Sequence, residues 1–297
     1  MLNVVSKNRN ICGSYFNAEN MKFYFSLFLF IVSFARAQVS VTGNFSMKPD
    51  SYEVKVIDKS LQNIYYKLKF VRDTKNSGKK LEAVCILQLG EHSSKFSDFN
   101  SLRKDSLMEK FSHLDHLGSK ELNQTLNLSE KWKNVVVKSF SEGKIIVQDV
   151  AKNTYQYEER QPVLNWALET ETKNILGYSC NKAIAKYRGR KYTAWYSKDI
   201  PIHNGPYVFQ GLPGLILEIE DSKSNFHFMA VGIDKKAADI YLRSEKRILV
   251  ITREQFRKIA QNYHDNPGFF LGKSYDINGN AIIDGGKKRP YNPIEME

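Results

Sequence analysis

His113 and His116 stand three residues apart with Asp115 between them, a spacing that can hold a metal ion on one helix face. Sequence places no cysteine, glutamate or third histidine to complete that set, so the pair reads as a solvated helix end. Asp199 and His203 form a second acid–base pair, and a serine brought beside them would make a hydrolytic nucleophile. The chain contains no G-x-S-x-G elbow to supply that serine. Asp276, Asn278, Asn280 and Asp284 are spaced like calcium ligands, but Ala281 replaces the turn glycine and Lys287 the terminal glutamate, which leaves a polar turn. A phosphate loop and a dinucleotide fingerprint are both missing. The expectation is a chain with no catalytic residue, no metal and no cofactor.

Any chemistry needs a scaffold, and this scaffold starts after an export signal. Met21 and Lys22 give a short positive start, and Phe23 to Phe34 is an apolar run broken only by Ser26 and Ser33. Ala35-Arg36-Ala37 then puts small residues where signal peptidase needs them, which predicts a cut between Ala37 and Gln38. Residues 1–20 are polar and aperiodic and read as an extension from an upstream start. The apolar run is shorter than the roughly 20 residues that span a bilayer, and no second run follows, so no membrane anchor is expected after cleavage. A lipobox cysteine does not stand at the cut. The predicted product is periplasmic or associated with the outer envelope.

Removing residues 1–37 takes away four basic residues and one acid, so the net charge falls from +12 to +9. Such a charge attracts acidic partners, including anionic lipid or polysaccharide. The basic residues are scattered, which favours a solvated basic surface, and export leaves no nucleic acid to bind. Cys12 precedes the signal, so only Cys85 and Cys180 reach an oxidising compartment, where they could pair. The apolar run Ala83 to Leu87 around Cys85 suits a buried thiol equally well.

Alternation dominates the exported part. Ile64, Tyr66, Leu68 and Phe70 alternate with polar or aromatic neighbours, as do Tyr155 with Tyr157 and Leu215, Leu217 with Ile219. Period two predicts strands with one face on a core. Turn residues punctuate the runs at Asn76-Ser77-Gly78, Glu142-Gly143, Arg188-Gly189-Arg190 and Asn278-Gly279-Asn280. Two helices are expected. One covers about 98–114, and the other starts at Thr252, whose T-x-x-Q pattern with Gln255 is a capping box. Phe256, Ile259, Ala260 and Tyr263 form the apolar stripe of the second helix, and Asn266-Pro267-Gly268 ends it. The fold class is mainly β with a few helices, in a single domain over 38–297. A curved antiparallel sheet, half-barrel-like around a helix, is the expected form, and a β-sandwich is the alternative.

Gly211-Leu212-Pro213-Gly214-Leu215-Ile216 is the name-giving hexapeptide of the GLPGLI family, and residues 175–221 resemble that family. Gly177-Tyr178, Cys180, Lys182-Ala183, Thr193-Ala194-Trp195-Tyr196, Ile200-Pro201 and Gly205-Pro206 precede it in the family's order. The ending Tyr291-Asn292-Pro293-Ile294-Glu295 is also similar to the family's C-terminus. The resemblance implies an exported bacterial protein of a family whose biochemical activity is not established. Asp105-Ser106-Leu107 resembles an acceptor triplet for O-glycosylation at Ser106 in such exporters, against the reading of an ordinary helix surface.

The residues of the segment carry their own physics. Pro213 fixes φ and Gly214 readily takes positive φ, so Leu212 to Leu215 predicts a type II turn. Gly205-Pro206 is a second bend, with Tyr207, Phe209 and Gln210 as an extended link between the two. One reading makes this a fold-determining corner. The other makes it a binding groove of Trp195, Tyr196, Gly205, Pro206, Tyr207, Phe209 and Leu212, open to an apolar ligand or a partner's extended chain. The leading functional expectation is non-enzymatic binding of an envelope partner or apolar ligand. The alternatives are an exported hydrolase of peptide or glycan, and a structural envelope component.

Overall fold

The computed structural model describes residues 41–43, 46–271, 274–275, 281–282 and 287–297. The predicted signal, its cut between Ala37 and Gln38, Cys12 and the polar positions 276–280 and 284 lie outside these residues.

Strands form where the alternation stands. The first half of the chain supplies β1 (Val54–Lys59), β2 (Gln62–Val71), β3 (Lys80–Leu89), β4 (Ser93–Asp98), β5 (Val135–Ser139), β6 (Lys144–Ala151) and β7 (Asn153–Arg160). The second half supplies β8 (Ala167–Ile175), β9 (Tyr178–Tyr187), β10 (Arg190–Ser197), β11 (Leu215–Asp221), β12 (Phe226–Asp234), β13 (Asp239–Arg243) and β14 (Leu249–Val250). A short pair, β15 (Ser274–Tyr275) and β16 (Ala281–Ile282), stands apart. The helices are α1 (Phe99–Ser112), α2 (Ser119–Leu126), α3 (Arg253–Asp265) and α4 (Pro267–Leu271).

Twelve strands make one open sheet in the order β14-β7-β6-β5-β4-β3-β2-β12-β11-β10-β9-β8. Two sequential antiparallel meanders, β2 to β7 and β8 to β12, are joined by antiparallel pairing of β2 with β12. Among the described strands only β14 pairs in parallel. The sheet does not close, so its edges need protection from further pairing. At one edge β8 is exposed, carries Glu169, Glu171 and Lys173, and has an irregular register between Leu168 and Thr172. At the other, β14 is only two residues long. The β1–β13 ribbon forms a separate two-stranded sheet.

The turns fall at the punctuating residues. Arg188 and Gly189 join β9 to β10 with φ of +40° and +78°. Positive φ at both central residues is the primed hairpin geometry that matches strand twist. Helix α3 starts as expected: Thr252 accepts from the amide of Gln255, and the amide of Thr252 donates back to Gln255. Helix α1 begins at Phe99 because Asp98 caps it by accepting from the amide of Asn100 at 2.8 Å.

Ile64, Tyr66, Leu68 and Phe70 of β2 are all buried, as the alternation requires. The inner face of the sheet is filled by side chains, and one cluster runs through both meanders. Trp132 lies at its centre, with the rings of Phe70, Tyr207, Phe226 and Phe228 all about 6 Å from its own. Helix α3 docks on this face through Phe256, whose ring lies 5.8 Å and 5.7 Å from those of Tyr155 and Tyr157. None of the described helices is long and apolar enough to cross a membrane.

The disulfide between Cys85 and Cys180 is not formed, and both cysteines are free and buried. Cys85 lies on β3 and Cys180 on β9, five strand positions apart in the sheet, whereas a disulfide needs Cα atoms within about 7 Å. The buried-thiol reading of Cys85 is the one the structure adopts. Burial pushes both thiols up, Cys180 to about 11. Both are therefore expected to resist a thiol reagent in the folded protein and to react fully in denaturant. Peptide mapping of the labelled cysteines checks this, and reductant should leave the melting temperature unchanged.

Candidate functional site

The corner at Gly211–Ile216 is rigid, but its turn differs from the expected one. Gly214 donates its amide to Leu212 O at 2.8 Å, closing a three-residue turn around Pro213 in place of the type II turn. Gly214 has φ of +152°, and a Cβ there would lie 2.0 Å from Ser197 O. Glycine is needed because another backbone passes against it. Past the corner, β11 buries Leu215, Ile216, Leu217 and Ile219.

The extended link is also a turn. Phe209 donates its amide to Pro206 O, and Tyr207 has φ of +53°, a region costly for a bulky side chain. What holds the loop is a residue that the sequence reading missed, the buried Lys138 on β5. Its Nζ donates to Asn204 Oδ1 at 2.7 Å, Gly205 O at 2.9 Å and Phe209 O at 3.1 Å. Three acceptors satisfy all three ammonium donors, although burial still pulls this lysine well down.

The expected groove is corrected by this burial. Tyr196, Gly205, Pro206, Tyr207, Phe209 and Leu212 are packed in the interior and are not exposed aromatics. Trp195 is the exception. The register irregularity between Trp195 and Tyr196 separates the two, and Trp195 remains partly exposed with Lys173 Nζ 4.4 Å from its ring. Adjacent aromatic residues in a strand point to opposite faces, so the seven residues do not share one surface.

The C-terminal tail meets the motif loop from inside. Glu295 is buried, and its Oε1 accepts from Tyr207 OH at 2.8 Å and Tyr187 OH at 2.9 Å. Its Oε2 accepts from Arg188 Nη1 at 2.7 Å and from Arg253 Nε and Nη2 at 2.9 Å and 2.7 Å. The neighbouring Arg190 donates to Ile294 O, Asn292 Oδ1 and Pro293 O, and pairs with the buried Asp221 at 3.0 Å. Two arginines of the β9–β10 hairpin thus hold residues 292–295, and Arg253 of α3 joins them.

A cavity of about 170 Å³ lies between this tail, α3 and the inner face of the sheet. Trp132, Tyr157, Tyr207, Phe256 and Tyr291 line it, and Arg72, Lys131 and Arg257 also border it. Three of its lining residues carry unusual polar groups. Among the described residues the indole N–H of the buried Trp132 has no partner, and neither has His264 Nδ1. Burial holds His264 below its usual value, and its ring stacks on Tyr291 at 4.5 Å. The third is Asp149, cross-strand from Tyr155 on the apolar face of β6. It accepts from Val150 N at 2.7 Å and from Asn134 Nδ2. Burial pushes its carboxyl up to about 7, against those hydrogen bonds. The sequence carried a signal for it, since Asp149 follows Ile145 and Val147 at period two.

The sign of the Asp149 contribution follows from its raised value. An unfolded aspartate titrates near 3.9, so between about pH 4 and 7 the folded state keeps a proton that the unfolded chain has lost. Stability from this group therefore falls as pH rises through that window. Asp149→Asn is expected to be more stable than the parent at pH 8 by on the order of a few kcal/mol, with the difference fading below pH 4. Urea unfolding at the two pH values checks this.

The other sequence candidates lie elsewhere. Asp199 and His203 are exposed, and no hydrogen bond or ion pair links them. His113 caps the end of α1, and His116 lies exposed beyond it. No group of three or more metal-ligating side chains occurs among the described residues. Ser106 is exposed on α1, while its neighbour Asp105 is buried in an ion pair with Arg243 at 2.9 Å.

A family described as a protein of unknown function, Porph_ging, matches residues 187–218, from the β9–β10 hairpin through the GLPGLI corner. The match is consistent with a GLPGLI-type family and covers a small part of the chain. No curated protein matches. Two solved structures are similar, both of PNGF-II, in a P21 and a C2 crystal form. Each is 13% identical over 70% of this chain, with TM-scores of 0.47 and 0.46. The chain spans about a third of their length, 34% in both.

Proposed function

We propose that this chain is an exported envelope protein whose work is non-enzymatic binding, and that the site is the cavity under the C-terminal tail. Export rests on the run from Met21 to Ala37. The binding reading rests on one observation, an aromatic-walled cavity lined by Trp132, whose indole N–H has no partner among the described residues. Buried donors in native proteins are almost always satisfied, so an orphan on a lining residue is a group that a ligand entering the cavity would satisfy. An apolar cavity of about 150 Å³ accepts benzene, which sets the scale of the ligand. The filled inner face leaves no room for a long lipid chain. The ligand is a small apolar or aromatic group with a hydrogen-bond acceptor for Trp132 and a polar atom for Asp149, free or presented by an envelope partner.

Native mass spectrometry of protein purified from the envelope tests this reading. A small bound species is expected, with affinity about tenfold weaker in Trp132→Phe, the value of one hydrogen bond. A protein that emerges empty, and that binds nothing from an envelope extract, contradicts it. Asp149 and His264 in one cavity favour a second reading, an exported hydrolase of peptide or glycan. Turnover abolished by Asp149→Asn would select it.

A further inference from the structure

The outer face of the sheet carries a second cavity, of about 310 Å³, where the β1–β13 ribbon crosses it. Gln148 Nε2 fastens the ribbon by donating to Arg243 O at 2.7 Å. In the β4–β5 register Lys95 lies opposite Val137, whereas Val136 and Lys138 face inward, so the sheet separates this cavity from the one under the tail.

Lys95 lines the outer cavity and is only 3% exposed. The other cations of its wall all have carboxylate partners. Lys104 and Lys133 pair with Glu130 at 3.3 Å and 2.9 Å, Arg243 pairs with Asp105 and Glu245, and Arg247 pairs with Asp50 at 2.9 Å. Lys95 Nζ has no hydrogen bond or ion pair among the described residues. It stands 3.6 Å from the centroid of the Tyr241 ring. Asp105, the acid that could have neutralised it, is occupied by Arg243 and by Tyr241 OH at 2.9 Å.

A buried ammonium without a partner carries a desolvation penalty of several kcal/mol, and a neutral amine avoids it. Burial pulls Lys95 down to about 8; the Asp105 charge opposes this and the Arg243 charge adds to it. A lysine desolvated beside another cation is the arrangement that turns an amine into a nucleophile at neutral pH. Cations outnumber carboxylates in the cavity wall, which favours a ligand that brings its own negative charge.

We propose that Lys95 is the nucleophile of a second site, which captures a small carbonyl compound bearing a carboxylate as a reversible imine. The Nζ lone pair attacks the carbonyl carbon, and the C=O π pair moves onto oxygen. Both amine protons leave with that oxygen as water while the C=N bond forms, so no oxidant or reductant is consumed. This site is independent of the cavity under the tail.

Reductive trapping tests the proposal on the full exported chain. Glyoxylate and cyanoborohydride are added at pH 7 in limiting amount, and carboxymethylated lysines are located by peptide mapping. An ordinary lysine titrates near 10.4 and is almost wholly protonated at pH 7, so label on Lys95 is expected to exceed that on the exposed Lys191 by about tenfold or more. Lys95→Met should lose that label and keep the others. If Lys95→Met fails to fold, the Lys95 to Lys191 ratio in the parent protein still decides, and it should fall as pH rises above 10. Label at Lys95 equal to or below that at Lys191 in folded protein overturns the proposal.

Discussion

Gly214→Ala is expected to lose on the order of 4 kcal/mol or more of stability, enough to unfold a domain near the lower end of the usual range of about 5–15 kcal/mol. The added methyl would sit 2.0 Å from Ser197 O and 2.6 Å from Ser197 C, and a backbone cannot swing aside as a side-chain tip can. Separating those strands would also break the amide of Leu215 from Ile200 O and displace the buried Leu215 and Ile216. Gly211→Ala is the internal control. Its φ of +90° strains alanine, but the nearest atom to a new Cβ is Trp166 Nε1 at 3.9 Å. A cost of about 1–3 kcal/mol is expected there. Urea unfolding of the two variants checks the contrast, and equal losses would mean that turn conformation and not close approach dictates the motif.

Glu295→Ala is expected to cost about 3–5 kcal/mol, the usual penalty for removing one partner of a buried charge network. Two tyrosine hydroxyls and two guanidinium groups would lose their shared acceptor together. Ending the chain after Arg289 should cost more, because Arg190 would keep Asp221 but lose Asn292, Pro293 and Ile294. Thermal unfolding of both variants measures the effect. Loss of the tail should also remove Tyr291 and Glu295 from the cavity wall, so ligand binding should fail even at temperatures where the truncated chain remains folded.

Local order was legible in this sequence because it is written locally. Period two in β2 and β11 put the same residues inward that the fold buries. Thr252 and Gln255 marked the start of α3 through hydrogen bonds that span three residues. The hexapeptide and the ending at Glu295 were both visible, but nothing in the sequence said that they touch, since Tyr207 and Glu295 are 88 residues apart. The pairing of β2 with β12, which joins the meanders, is likewise long-range. Exposure of the aromatic residues was misread for a related reason. Trp195 and Tyr196 are both amphipathic, and alternation assigns them to opposite faces without saying which face is covered.

The polar interior was the least legible part. Lys138 and Lys95 are charged types that usually face water, so their place on core-facing or covered strand positions becomes visible only once the neighbouring elements are in place, whereas Asp149 was marked only by its period-two spacing from Ile145 and Val147. Lys138 is matched by three acceptors and serves the fold. Among the described residues the Trp132 indole N–H has no hydrogen-bond partner and Lys95 Nζ meets only the Tyr241 ring, and both residues line cavities. That difference separates a buried polar group built for stability from one that waits for a ligand.

The cavity under the tail can be read most directly from its tryptophan. The chain has three, and their indole N–H groups resolve separately in nitrogen-15 correlation spectra. Trp166 Nε1 already donates to Gln210 O at 2.8 Å, and Trp195 lies partly exposed outside the interior cluster. Titration with a small-molecule extract of the envelope should shift the Trp132 resonance downfield as its N–H gains an acceptor, and leave the other two in place. An unmoved Trp132 signal at saturating extract, or a common shift of all three, would contradict the assignment of this cavity as the binding site.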